Sequence, residues 1–419
     1  MKYQESDKEI VETYLKEHAF SMLKPGGKVF RNAFIDPGAG YHGNLWDWDS
    51  YFTSLALIEL CEYFKNDPAF SYEKRRQEVL THAAGCVKNF LNEQLPDGFI
   101  PMIVMEEGTF RSYLVDEHKA GKPVNQHKPF LAANTLQICG ALGDFNWFDC
   151  EKLENYLLYY QKDQYNTNTG LYFWRNDVMI GIDNNPTVFG RPEGSCADVY
   201  LNSFLYSEFR AMAEIFKVFG EAERVRYWEN AAESLKQAVN RFLYDERDEF
   251  FYSADLCVKH TETEIFHHGM APFWKALPMK IRFWGGFLPV YTDMVSKDCA
   301  YCLLKRNLDD DFLSEFGVRS LAKNEKMYNQ ESTSNPSNWL GPIWIVVQYC
   351  VWACLKKAGM EIEAANLAQK TLGLLALDIR RNGHMSESYR ADDGSPMMHG
   401  GFLNWNCLIL KMIRDEQSI

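Results

Sequence analysis

Two carboxylates stand in short polar loops of unusual composition. Asp183 lies in Gly181-Ile182-Asp183-Asn184-Asn185-Pro186 and Glu387 in Ser386-Glu387-Ser388-Tyr389. A pair of carboxyl groups is what glycoside hydrolysis needs, one to protonate the leaving oxygen and one to activate water. Asp183 is flanked by Ile180 and Ile182. A carboxyl lodged among apolar groups has its neutral form favoured, as a general acid requires. Glu387 sits in a Ser- and Tyr-rich loop where Tyr389 is placed to orient an ionised carboxylate. Taken alone, the first loop is an ordinary Asx-turn and the second holds a solvated glutamate.

Around them are residues suited to a sugar. In Gly43-Asn44-Leu45-Trp46-Asp47-Trp48-Asp49-Ser50 two Trp alternate with two Asp just before a helix. Indole offers a stacking face and an N–H donor, and Asp offers paired acceptors for neighbouring hydroxyls. Helix capping accounts for one such Asp or Ser but not for the alternation. Trp174 precedes the Asp183 loop, and Trp339 and Trp344 bracket Gly341-Pro342. Gln126 and His127 lie in Asn125-Gln126-His127-Lys128-Pro129, and His399 and Trp405 follow Glu387. The expected glycone pocket is Trp46, Asp49, Gln126 and Trp339, with Trp405 near the rim and Asp47, Trp174, Gly181 and His399 as further contacts.

Other chemistries find little support. The net charge is −13 with no basic run, which argues against nucleic acid and against an anionic membrane surface as partners. Eleven scattered cysteines in a chain long enough to build its own core read as reduced thiols. Cys299-Ala-Tyr-Cys302 reads as two thiols on a helix face. His267-His268 is a poor metal pair, since adjacent side chains diverge. No metal and no organic cofactor is expected. The polar N-terminal segment lacks the apolar core of a signal peptide, and Ile343 to Leu355 is too short to span a bilayer. The expected location is cytoplasmic.

The elements that must position these residues are helices. Helical periodicity predicts helices over 7–22, 47–66, 72–93, 129–143, 150–162, 200–219, 221–242, 292–306, 339–357, 360–379 and 401–415, with short strands at 171–174 and 249–252. Segments 339–357 and 401–412 are apolar nearly all round, as buried helices are. Segments 72–93 and 221–242 are amphipathic, as outer ones are. Alternation of the two kinds, with no fixed repeat period and no linker, suits a single all-α domain over 1–419: an (α/α)6 toroid with its function on the long loops 31–50, 95–128, 163–199, 307–342 and 380–400.

Taken in order from about residue 40 to 410, these blocks resemble the glycoside hydrolases of family 63, especially the mannosylglycerate and glucosylglycerate hydrolases, and more distantly the trehalases of family 37. WDWDSYF resembles their early Trp/Asp substrate motif. GIDNNP resembles the Ser-Gly-x-Asp-x-Ser-Pro loop that carries the general acid, which the resemblance places on Asp183. DVYLNSFL resembles the Asp-Leu-Asn stretch that follows, and SNWLGPIW resembles Asn-Trp-Arg-Gly-Pro-Val-Trp. SESYRADDG resembles the loop of the catalytic base, which falls on Glu387. The resemblance implies inverting hydrolysis of a small α-glucoside or α-mannoside, such as a disaccharide or a glycosylglycerate. The chain departs from the pattern at Leu340, where many relatives have Arg, and at Asn184-Asn185, which replaces a Ser-bearing turn. At this length the β-domain of enzymes that process large N-glycans is not expected, nor is a large N-glycan substrate.

Two rival functions fit the same composition. A sugar 2-epimerase of the acylglucosamine type would work through paired histidines, for which His384 and His399 are the candidates. A non-catalytic sugar-binding protein would keep the aromatic residues without needing both carboxylates.

Overall fold

The computed structural model describes residues 5–258, 273–331 and 337–416. Thirteen α-helices run through these residues: α1 (Glu5–His18), α2 (Asp47–Tyr63), α3 (Tyr72–Asn92), α4 (Phe110–Lys119), α5 (Leu131–Leu142), α6 (Cys150–Asp163), α7 (Val199–Phe219), α8 (Ala222–Phe242), α9 (Leu288–Tyr291), α10 (Lys297–Asn307), α11 (Ile345–Ala358), α12 (Glu361–Asn382) and α13 (Ile409–Glu416). With α4 set aside, they alternate between an outer and an inner ring. The inner ring closes in the order α2, α5, α7, α9, α11, α13 and back to α2, each helix packing on the next. The outer helices α3, α6, α8, α10 and α12 pack against it, and α1 packs on α12. This is an (α/α)6 toroid.

Side-chain chemistry assigns the rings. Every residue of α11 from Ile345 to Trp352 is buried, so this stretch has no solvent face. In α8 burial is confined to Trp228, Ala232, Leu235, Ala238 and Val239, one stripe at helical spacing. A buried carboxylate ties two inner helices together: Glu208 of α7 accepts the Ala132 and Ala133 N–H groups at the start of α5, at 2.9 and 2.7 Å. Those donors have no partner within their own helix.

The expected strands appear as Leu171–Tyr172 and Phe250–Phe251. Other short pairs frame the inner-helix starts. β1 (Asn44–Trp46) runs antiparallel to β2 (Ile103–Met105), and β3 (Ile343–Trp344) to β4 (Ser388–Tyr389). Three helices differ from expectation. The 292–306 helix begins only at Lys297, where the Ser296 side chain caps it by accepting from Cys299 N. The 339–357 helix begins only at Ile345, because Gly341 adopts φ +139° and Pro342 leads into β3. The 401–415 helix starts as a 3-10 turn over Asn404–Leu408. α4, inside a segment read as loop, and the four-residue α9 were not expected. His267-His268 lies outside the described residues. Cys299 and Cys302 are on α10, and all eleven cysteines are free thiols. Among the described residues no helix is long and apolar enough to cross a membrane.

Candidate active site

The segments that lead into α2, α5, α7, α11 and α13 converge at one place, where the positive ends of helix dipoles suit carboxylates. A cavity of about 300 Å³ opens there, and its wall includes Asp49, Asp183 and Glu387.

Asp49 is in the first turn of α2. The 3-10 turn before α13 orients it: the Asn404 amide donates to Asp49 Oδ1, while Asn404 Oδ1 accepts from Thr53 at 2.6 Å. Burial, with Asp47 beside it, pushes the Asp49 carboxyl up to about 7 against the pull of Lys128.

Glu387 directly precedes β4, and pairing of Ser388 with Trp344 sets it beside the Trp339 loop. Its backbone N–H donates to Met398 O at 3.1 Å. Its carboxylate accepts the Tyr41 hydroxyl, which stands 3.1 Å from both oxygens. Burial raises the Glu387 carboxyl well above its usual range. The nearby Asp49 and Asp183 charges add to the rise and the Tyr41 hydrogen bond opposes it. His399 Nε2 is 3.9 Å from Oε2. Tyr389 does not orient Glu387 as expected: its hydroxyl accepts from Ser386 N and donates to Asp378, deep in the core.

Asp183 is half-buried on the opposite loop. Gly181 at φ +89° makes the turn, and a side chain there would press on the Lys128 stem at 3.2 Å. Ile180 and Ile182 are core residues, so they anchor the loop while the carboxyl faces the cavity. Asn184 clamps two loops together: its Oδ1 accepts from Trp339 N at 2.7 Å and its amide donates to Asn338 at 3.0 Å. Asn185 donates to Asp198, the N-cap of α7, which also accepts from Trp174 Nε1 and Ser253.

Of the nine expected contacts, Trp46, Asp49, Gly181, Trp339, His399 and Trp405 lie on the cavity wall. Three lie behind it. Asp47 is fully buried, with its carboxylate 2.7 Å from Lys128 Nζ and 2.7 Å from Lys128 N. It joins α2 to the segment before α5. Gln126 donates to Tyr156 O and is fully buried. Trp174 spends its indole N–H on Asp198. His127 is likewise internal, and burial lowers its imidazole to about 4.

The wall also holds Tyr41, Trp48, Lys128, Met179, Ser337, Trp344 and Met398. Trp48 and Trp344 belong to motifs already recognised. They complete an aromatic floor in which Trp339 stacks on Trp344 at 3.9 Å and Trp48 meets Trp405 at 5.2 Å. Tyr41 had one sequence signal: a hydroxyl-bearing ring at the end of a Gly-Ala-Gly turn. Asp36 shapes that turn by accepting Gly38 N and Gly43 N.

Comparison with known proteins agrees with this architecture. Residues 42–405 match the family model described as the mannosylglycerate hydrolase MGH1-like glycoside hydrolase domain. A cytosolic neutral trehalase from Kluyveromyces lactis is 29% identical over 238 residues, 53% of this chain. The matched region is 29% of that relative's length. The family 63 mannosylglycerate hydrolase of Thermus thermophilus, solved with Tris and D-glycerate, superposes with a TM-score of 0.68 at 17% identity, covering 96% of this chain and 100% of the other. Neutral trehalase from Saccharomyces cerevisiae superposes at 0.58 with 15% identity, covering 92% and 75%. At such identities the two superpositions speak for the fold. The family match over 42–405 speaks for more: this chain belongs to the MGH1-like glycoside hydrolases.

Proposed function

We propose that the chain hydrolyses a small α-glucoside or α-mannoside with inversion, using Asp183 as general acid and Glu387 as general base. The carrying observation is that these two carboxyls, 204 positions apart by subtraction of their numbers, share one small aromatic-walled cavity. In this reading Asp183 delivers its proton to the glycosidic oxygen while Glu387 removes one from a water on the other face of the sugar. Each role thereby leaves its group in the opposite protonation state. Trp46, Asp49, Gly181, Trp339, His399 and Trp405 hold the glycone. The relatives' names, a mannosylglycerate hydrolase and trehalases, support an α-linked substrate of this size. Residues 1–419 then act as one catalytic domain. Eleven free thiols support a reducing, cytoplasmic setting, and the acidic balance supports a partner list without nucleic acid.

One observation favours exchanged roles: Glu387 holds its proton more tightly than an ordinary glutamate, which suits an acid. The leaving-group dependence of Asp183→Asn against that of Glu387→Gln separates the two assignments. The epimerase alternative needs two histidines at the substrate. His399 is on the wall, whereas His384 is not among the residues that line it.

Proton NMR of the first-formed product from an α-linked substrate tests the stereochemistry. A β-anomer is expected first, and an α-anomer appearing first would mean retention. Tyr41→Phe tests how Glu387 is held. Loss of the one hydroxyl that counteracts its raised pKa should lower kcat/KM about 10-fold near neutrality, the worth of a hydrogen bond to a charged group. The sign follows from the role: a base works ionised, so the acid-side limb of the pH profile should move to higher pH. A fall in activity with an unmoved limb would leave Tyr41 a merely structural residue.

A further inference from the structure

One side chain on the cavity wall is held in a backbone conformation that its residue type disfavours. Met179 adopts φ +58° and lines the cavity together with Gly181 and Asp183 of the same loop. A side chain at positive φ crowds its own backbone, whereas glycine takes that conformation freely. The segment uses glycine in this way at Gly181, Gly190 and Gly194, with φ of +89°, +70° and +65°. At position 179 it keeps a long side chain instead.

Anchors on both sides impose the conformation. The buried Asn125 amide donates to the Asn176 and Val178 carbonyls at 3.1 and 2.9 Å, and Asn125 Oδ1 accepts Arg175 N at 2.9 Å. On the other side Ile180 is a core residue. Between two fixed points the chain turns at 179, and strain of this kind persists where the surroundings over-determine it. Met179 packs against a small apolar cluster of Phe99, Met102, Ile103, Leu114, Val124 and Tyr159, and so does Trp46. Leu114 brings α4 into that cluster. Met179 and Trp46 belong both to the cluster and to the cavity wall.

We propose that Met179 forms the apolar side of the leaving-group subsite and takes the C–H face of a sugar or polyol leaving group. The proposal rests on the hydrolysis proposed above, with Asp183 as its acid, and deepens it. The group that protonates the glycosidic oxygen stands beside the departing part of the substrate, and Met179 shares its loop and its wall. An unbranched, polarisable thioether adapts to the irregular C–H surface that such a group presents. The pinned backbone fixes where that flexible side chain starts.

The test compares two substrates that both release an alkoxide but differ in the size of the leaving group: the methyl α-glycoside, and the α-linked disaccharide or glycosylglycerol of the same sugar. Met179→Ala should lower kcat/KM about 10-fold on the larger substrate, the scale of a lost apolar contact, and by less than about 2-fold on the methyl glycoside. Met179→Gly, which also relieves the backbone, should show the same selective loss, and this assigns the effect to the side chain. Met179→Leu, which refills the volume, should restore most of the activity. An equal fall on both substrates would mean that Met179 acts by placing Asp183. Unchanged kinetics on the larger substrate would mean that it only packs on the cluster. Either result overturns the proposal. Where the methyl glycoside is not turned over, inhibition of aryl α-glycoside hydrolysis by the two compounds gives the same comparison. Failure of every α-glycoside, aryl ones included, is the distinct result that removes the proposed hydrolysis and this proposal with it.

Discussion

Glu387→Gln is expected to lower kcat about 10³–10⁴-fold on every α-glycoside the enzyme cleaves, whatever the leaving group, because each turnover needs the water activated. Glutamine keeps the size of the side chain and still accepts the Tyr41 hydroxyl, so the pocket should persist while the proton acceptor is lost. The pH profile gives a second, independent reading. Burial and the charges of Asp49 and Asp183 raise the Glu387 carboxyl. A base with a raised pKa is protonated and inactive on the acid side, and kcat/KM climbs as pH rises through its titration. In the Gln variant that limb should vanish from the residual activity. Steady-state kinetics across pH, with circular dichroism to confirm folding, check both points. A variant within 10-fold of the wild type would remove Glu387 from the chemistry.

Asp183→Asn should instead discriminate among substrates. An alkoxide leaving from a sugar or polyol needs its proton in the transition state, and loss of the acid should cost about 10²–10⁴-fold there. A glycosyl fluoride or dinitrophenyl glycoside departs without protonation, and its rate should fall by less than about 10-fold. The measurement is kcat/KM for the variant against leaving-group pKa, which should give a steep line where the wild type gives a shallow one. The opposite pattern, a uniform loss for Asp183→Asn and leaving-group dependence for Glu387→Gln, would exchange the two roles. That outcome would agree with the tightly held proton on Glu387.

Much of the helical scaffold was legible because its signal is local. The stripe in α8 and the all-round apolarity of α11 are properties of consecutive side chains. The inner helix α9 was missed because Gly285, Gly286 and Pro289 interrupt any periodicity and only four residues are helical. The helical pattern runs through Gly341-Pro342, although Ile343–Trp344 just after them are extended and pair with the strand after Glu387. The polar loops were recognisable as a site by composition. The orientation of individual residues within them was not.

The sequence by itself determined the alternation of buried and amphipathic helices, the order of the motif blocks, and with them the family and both candidate catalytic carboxyls. Only the tertiary structure decided which motif residues line the cavity. Asp47 and Asp49 look equivalent as letters, but at about 100° per residue two positions in the first turn of α2 point to nearly opposite sides. One is therefore spent on Lys128 behind the wall and the other faces the cavity. Gln126 and Trp174 point inward, their donors spent on the Tyr156 carbonyl and the Asp198 carboxylate. The hydroxyl that holds Glu387 comes from Tyr41, 346 positions earlier in the chain. No local pattern encodes that contact, because it exists only once α13 closes the inner ring against α2.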